Sequence, residues 1–320
     1  MLQKTQFTQN LQSEISNSCK IALLEDLGLN VEDASIDLAT LFENLDITAN
    51  LIPSDTKATA QLISREDGIL CGQAWVEKTF ALLSHNDRCQ DASQNLSITW
   101  HVSDGEAVKA NDLICELSGN ARQLLTGERS AMNFLQSLSS TATLTAEYVK
   151  KMNSDHCKLL DTRKTIPGMR FGQKYAVKTG GGQNHRFGLN DAFLIKENHI
   201  MACGGIKQSL ETAIKNHPDK LLEIEVENLD ELQQAIAGKA QIVMLDNFNN
   251  DELRQAKAIV MQSDHQPKLE ASGNVNLQTI AEIAKTGVDF ISVGALTKDV
   301  KALDLSMRIS LIERKGLNQR

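Results

Sequence analysis

The chain changes its hydrophobic rhythm near residue 121. Before that point, Leu11, Ile15, Ile21 and Leu24 fall near helical spacing and predict a helix over residues 1–30 that stops at Gly28. Short strand-like stretches follow. Residues 58–66 (ATAQLISRE) alternate apolar and polar, 67–72 (DGILCG) supply a turn, and 97–108 (SITWHVSDGEAV) are β-rich. The stretch DGEAVKANDLICEL is similar to half of a biotinyl or lipoyl carrier motif, but the second half is missing, so it is read as a β-hairpin core. Residues 121–152 predict one long helix with Leu124, Ala131, Phe134, Leu135 and Leu138 on a single stripe.

Beyond that helix, short apolar runs end abruptly in polar residues: 158–161, 192–196, 222–227, 241–246, 268–272 and 288–294. Amphipathic stretches at 206–216, 229–237, 250–262 and 275–286 lie between them. Regular strand–helix alternation predicts parallel strands with covering helices. A doubly wound sheet fits as well, but Asp161, Lys196, Glu225, Asp246, Ser272 and Gly294 all sit at carboxyl ends of these runs. A barrel gathers such ends around one mouth, so a barrel is favoured.

Composition narrows the function classes. Hydrophobic residues make up 41% and charged residues 23%, as in an ordinary globular enzyme. Aromatics at 4% and a net charge of −8 disfavour nucleic-acid binding, which needs stacking platforms and a basic face. The polar N-terminus lacks the apolar core of a signal peptide, and no apolar run approaches the roughly 20 residues that span a bilayer. Cys19, Cys71, Cys89, Cys115, Cys157 and Cys203 are widely spaced and read as free thiols in a reducing compartment, so a cytoplasmic location is expected.

Charge is distributed unevenly. Residues 158–196 hold eight basic residues against two acidic ones, +6 inside a protein of −8. Arg170, Lys174 and Lys178, at i, i+4 and i+8, are read as a solvated helix stripe. Arg163, Lys164, Arg186 and Lys196 stand at strand ends or beside glycines, where a cation is costly unless paired; a polyanionic small ligand would resolve this. Gly180-Gly181-Gly182 before His185-Arg186 reads as a loop delivering two donors to an anion. Glu225 and Asp246 in a cationic mouth are either partners for Lys164 or Lys196, or ligands for Mg²⁺ and ribose hydroxyls. The final strands end in Ser272-Gly273-Asn274 and Gly294-Ala295, small residues suited to a phosphate cradle.

The segments ERSAMNFLQSLSSTATLT (128–145), DTRKTIPG (161–168), YAVKTGGGQNHRFGLNDAFLIKENHI (175–200), IEVEN (224–228), MLDNF (244–248), EASGN (270–274) and FISVGALT (290–297) resemble the quinolinate phosphoribosyltransferase family, in order, across about residues 45–310. The resemblance implies an N-terminal α/β sandwich domain (1–128, with a C-terminal helix 302–320 packed on it) and an incomplete, seven-stranded TIM-like α/β barrel (129–301). It implies transfer of phosphoribosyl from phosphoribosyl pyrophosphate to quinolinate with decarboxylation, giving nicotinate mononucleotide, pyrophosphate and CO₂, with Mg²⁺ as cofactor, in a homodimer. Arg163, His185, Arg186 and Lys196 would hold the quinolinate carboxylates, and Arg129 would come from the partner subunit. Lys164, with Thr165 beside it, would contact the donor's pyrophosphate. Glu225 and Asp246 would address ribose and Mg²⁺, and Ser272, Gly273, Asn274, Val293, Gly294 and Ala295 the 5′-phosphate. Lys164, Lys196, Glu225 and Asp246 would be the catalytic set. Two departures stand out: Lys298 replaces the family's usual histidine, and an insertion is expected after EDLG (25–28).

Rival readings are a barrel lyase or aldolase with Lys196 or Lys164 as Schiff base, a phosphoribosyltransferase for another aromatic acid such as nicotinate, and a binding module without activity. Five cations (Arg129, Arg163, His185, Arg186, Lys196) exceed what one carboxylate needs, which favours quinolinate. His85, His101, His156, His217 and His265 lack metal-ligand spacing and are read as surface or core residues; His199 is open between scaffold and ligand contact; Cys157 is read as core.

Overall fold

The computed structural model describes residues 4–30, 37–84 and 96–312, so Cys89, His85 and residues 31–36, where the insertion is expected, lie outside the described residues. The chain divides into two compact units, one of residues 1–7 and 144–300, the other of residues 8–143 and 301–320. The division falls between residues 143 and 144, within the long helix expected at 121–152.

The second of these units holds helices α1 (Lys4–Asp26, apart from its first turn), α2 (Leu38–Leu45) and α3 (Gln73–Leu82), and strands β1 (Lys57–Ser64), β2 (Gly68–Ile69), β3 (Ser97–Trp100), β4 (Ala107–Val108) and β5 (Leu113–Asn120). It also takes most of α4 (Ala121–Met152) and a late strand, β11 (Leu305–Leu311). The main sheet is antiparallel in the order β11-β1-β5-β3. Strand β1 buries Ala58, Ala60, Leu62 and Ser64 and turns the alternate residues outward, the two-residue period of a half-buried strand. Leu124, Ala131 and Leu135 of α4 join Val76 and Phe80 of α3 in the core over this sheet. Gly127 permits their approach: a Cβ there would meet the Phe80 ring at 2.5 Å.

Two expectations are corrected here. The segment 305–311 is a strand, not part of a helix; it pairs antiparallel with β1 from Ala58↔Leu311 to Ser64↔Leu305. The carrier-like stretch is not a hairpin, because β4 pairs with β2 while β5 pairs with β1 and β3.

The other unit carries β6 (Lys158–Leu160), α5 (Arg170–Thr179), α6 (Glu197–Cys203), α7 (Ile206–Asn216), β7 (Glu223–Val226), α8 (Leu229–Ala237), β8 (Ile242–Asp246), α9 (Asn250–Gln262), β9 (Lys268–Ser272), α10 (Ile280–Ala284), β10 (Phe290–Ser292) and α11 (Ala295–Lys298). Its parallel sheet runs β6-β10-β9-β8-β7. Isolated parallel bridges extend both ends: Leu160 to Gln183, Ala192 to Leu221 and Ile195 to Ile224. Among the described residues this makes seven parallel segments in chain order around a ring, left open between the Gln183 and Ala192 segments. The arrangement is the incomplete barrel expected, without a closing ladder. Ile224, Val226, Val243, Leu245, Leu269, Ala271, Ile291 and Val293 are buried in its core, as parallel strands covered on both faces require. Asn228 caps α8, and Asn249 with Glu252 forms a capping box on α9, which stops each strand–helix loop at a fixed place.

Among the described residues, no helix is long and apolar enough to cross a membrane.

Candidate active site

The carboxyl ends of the strands open into a cavity of about 600 Å³. It brings together Arg163, Lys164, His185, Arg186, Lys196, Glu225, Asp246, Ser272, Gly273 and Asn274, all named from the sequence, together with Thr162, Leu194, Met244, Asn247 and Ser292, which were not. A second chamber of about 490 Å³ shares Lys164, Ser272, Gly273 and Asn274 with it and adds Val293, Gly294 and Ala295. Lys298 lines that chamber too.

At the cationic end, the Nε atoms of Arg163 and Arg186 are buried and bond no protein acceptor. Arg186 Nη1 donates to the Ala192 carbonyl at 3.1 Å, which fixes the guanidinium without neutralising it. Burial, and then the nearby Arg163 charge, hold Arg186 below its ordinary value. Two partly buried arginines lining one cavity suit an anion with more than one acceptor group.

The loop that presents His185 and Arg186 rests on a buried ion pair, which corrects the reading of Lys174 as solvated. Lys174 is wholly buried, and its Nζ bonds Asp161 Oδ1 and the His185 carbonyl (3.0 Å). Asp161 also accepts from the His185 N–H at 2.9 Å and the Asn184 amide at 2.6 Å. Desolvation pushes the Asp161 carboxyl up and the Lys174 ammonium down, and their mutual attraction and these bonds offset only part of it. Arg170 is not free in solvent either: it donates to Thr165 Oγ1 and the Phe187 carbonyl. Lys178 alone of the three is exposed. Thr165 therefore turns its hydroxyl to Arg170, and it does not line the cavity.

At the acidic end, Lys196 Nζ is bonded to Glu225 Oε2, the pairing that the sequence left open against a Mg²⁺ role. Asp246 accepts from the Asn247 amide at 2.9 Å. The end of the cavity around Ser272 is built from turns in left-handed backbone: Asn247 (φ 58°), Gly273 (φ 93°) and Asn274 (φ 50°). Asn247 N donates to the Ser272 carbonyl, and Asn274 donates to Asn247 Oδ1. Lys164 lies over Gly294, where a Cβ would come within 3.2 Å of its Cδ.

Beneath the mouth, His185, Glu223 and Glu270 form a buried cluster that the sequence reading missed. His185 Nε2 comes to 3.0 Å of Glu223 Oε2, without full hydrogen-bond alignment, and to 3.6 Å of Glu270 Oε2. Burial pushes both glutamates up to about 8, and in Glu270 the neighbouring Glu223 adds to it. The folded chain thus holds protons that an unfolded glutamate, at 4.5, would release. Stability conferred by these groups is full below about 4.5 and falls as pH rises through about 8. Denaturant midpoints measured from about pH 6 to 9 should fall for the parent chain and fall less for Glu270→Gln, which lacks one titrating group.

His199 serves as scaffold, its Nδ1 accepting from Lys196 N at 3.0 Å. His101, His156, His217 and His265 belong to no metal-binding group among the described residues. Cys157 is a buried core residue with its thiol pushed up to about 12. Arg129 is exposed on α4, in the unit that does not contain the cavity.

The chain is similar to known proteins in both sequence and fold. Residues 46–139 match the model of the quinolinate phosphoribosyl transferase N-terminal domain, and residues 141–308 that of its C-terminal domain. A probable nicotinate-nucleotide pyrophosphorylase [carboxylating] of Bacillus subtilis is 38% identical over 267 residues, covering 83% of this chain and 88% of that protein. One from Methanocaldococcus jannaschii is 38% identical over 295 residues, covering 90% and 99%. The solved nicotinate-nucleotide pyrophosphorylase of Francisella tularensis superposes with a TM-score of 0.81 at 46% identity, covering 93% of this chain and 97% of that one.

Proposed function

The chain belongs to the quinolinate phosphoribosyltransferase family, and on that premise we propose that it joins quinolinate to phosphoribosyl pyrophosphate, releasing pyrophosphate and CO₂ and leaving nicotinate mononucleotide. The observation that carries this reading is the pair of buried guanidinium Nε atoms, Arg163 and Arg186, without protein acceptors at one end of a cavity whose other end is a cradle of small residues. The first end suits a dicarboxylate, the second a phosphate.

With the substrates in place, the pyridine nitrogen attacks the anomeric carbon while the bond to pyrophosphate breaks, and the leaving group takes the electron pair. The ribose gains oxocarbenium character, which Glu225 and Asp246 stabilise electrostatically. The pyridinium then draws in the electrons of the C2–carboxylate bond, CO₂ departs, and C2 takes up a proton. Positioning and charge suffice, and no covalent nucleophile is needed. Lys164, shared by both chambers, contacts the pyrophosphate side.

Glu225 and Asp246 offer hard carboxylate oxygens at the cavity wall and fit Mg²⁺, which would neutralise charge on the departing pyrophosphate when bound. Lys196 and Glu225 are paired here, so their separate roles toward quinolinate and ribose require that pair to open as substrates enter. The protein works as a homodimer in which Arg129 reaches the partner's site; its exposure on α4, one turn from the half-exposed Leu125, supports this. The cysteines among the described residues are all free, as suits a cytoplasmic enzyme.

A Schiff-base lyase is not favoured, because Lys196 is engaged by Glu225. The test is release of labelled CO₂ from carboxyl-labelled quinolinate with the sugar donor. No release from well-folded protein would overturn the reading, and turnover of nicotinate instead would move it to a related enzyme. Gly273→Ala should raise KM for phosphoribosyl pyrophosphate. Its Cβ would fall 2.1 Å from Asn247 Oδ1 at a φ of 93°, a strain worth about 1–3 kcal/mol, hence about tenfold or more. Steady-state kinetics with the donor varied would check this.

A further inference from the structure

The interior of an α/β barrel is filled in layers, each drawn from alternate strands and made mostly of branched apolar side chains. Here the second, fourth and sixth parallel segments of the ring send His185, Glu223 and Glu270 to one place beneath the mouth. The small space around them is walled by Leu160, Ile242 and Phe290. Apolar residues would fill this layer at lower cost, since a buried carboxyl loses hydration worth several kcal/mol. Glu223 Oε1 and both Glu270 oxygens lack a fully aligned hydrogen bond, and only Ser292 and the two glutamates' approach to each other offset part of that loss.

His185 links the layer to the cavity. Its Nδ1 accepts the main-chain N–H of Arg186 at 2.8 Å, so in the neutral ring the proton must sit on Nε2. Nε2 is the atom that meets Glu223 Oε2 at 3.0 Å and Glu270 Oε2 at 3.6 Å. Both nitrogens are thus engaged by the protein itself. The acceptor for Arg186 N–H exists only while the ring holds this orientation and tautomer. We infer that Glu223 and Glu270 are positioning residues for the reaction: they lock His185 with its proton on Nε2, and the locked ring fixes the Arg186 main chain so that its guanidinium meets the dicarboxylate. This rests on the proposed function for the identity of the dicarboxylate, not for the geometry of the lock.

His185 does not line the second chamber, which holds Val293 to Ala295 beside the turn at 272–274, so the two substrates should respond differently. The test uses the full-length protein with ¹⁵N-labelled histidine, together with Glu270→Gln and Glu270→Leu. The parent His185 should show the neutral Nε2–H pattern by ¹⁵N NMR at neutral pH. Both variants should raise KM for quinolinate about tenfold and leave KM for phosphoribosyl pyrophosphate within about twofold. Glu270→Leu should do so while unfolding no more readily than the parent, because it exchanges a buried carboxyl for an apolar group. A His185 ring that carries its proton on Nδ1, or on both nitrogens, overturns the proposal. So do parallel changes in both KM values, or a Glu270→Leu enzyme with parental kinetics. If the parent enzyme failed to use quinolinate at all, the proposed function would fall, and the NMR pattern would still decide the lock.

Discussion

Replacing Lys174 with methionine should destabilise the protein by about 3–5 kcal/mol, the cost of leaving a fully buried charge without its partner. Asp161 would keep its bonds to Asn184 and to the His185 N–H, but its oxygen Oδ1 would lose the ammonium that balances it. The same ammonium holds the His185 carbonyl, so the loop carrying His185 and Arg186 would shift. A displacement near 1 Å at a positioning group is worth about a hundredfold in rate, and turnover should fall at least that far. Chemical denaturation and steady-state kinetics on the same preparation read the two effects. The double variant Asp161→Leu with Lys174→Met separates them: stability should return toward the parent value, since the uncompensated charge is gone, while activity should stay low. A Lys174→Met chain within about 1 kcal/mol of the parent would show that the pair holds nothing in place.

The second large effect concerns assembly. Arg129→Ala and Lys196→Ala should each abolish turnover, and mixing the two inactive proteins under conditions of subunit exchange should restore part of it. Random exchange between equal amounts makes half the dimers mixed, and each mixed two-fold dimer has one complete site, so recovery should approach about a quarter of parental activity. Mixed dimers demonstrated by mass spectrometry but devoid of activity would mean that Arg129 serves its own barrel.

The barrel unit was legible wherever its strands follow the usual rule that buried parallel strands are apolar. Runs such as QIVMLD and VDFISVG became β8 and β10, and the residues at their ends line one cavity. The second parallel segment was not legible, because Gln183-Asn184-His185 contains no apolar residue; its identity lies only in a bridge from Leu160 to Gln183. Glu223 and Glu270 were hidden for a related reason. In LEIEVE and KLEAS a glutamate between apolar residues reads as the wet face of a strand, and only the inward turn of that face in the ring reveals a buried acid. Lys174 shares its helical spacing with the exposed Lys178, and spacing cannot show that a helix edge is covered by a strand end thirteen residues away. The strand β11 was available: Leu303, Leu305, Met307, Ile309 and Leu311 alternate at period two, and that signal outranks an expectation of a terminal helix.

That last strand bears on how the chain is made. β1 is hydrogen-bonded along one side by β11, yet roughly 240 residues separate the end of one from the start of the other. At a synthesis rate of about 5–20 residues per second, β1 leaves the ribosome some 12–50 seconds before its neighbour exists. During that interval the sheet presents a bare strand edge, the feature most apt to recruit other chains. Translation that stalls after the barrel is complete would therefore yield a polypeptide with one finished unit and one adhesive one, the form that quality-control chaperones should meet first.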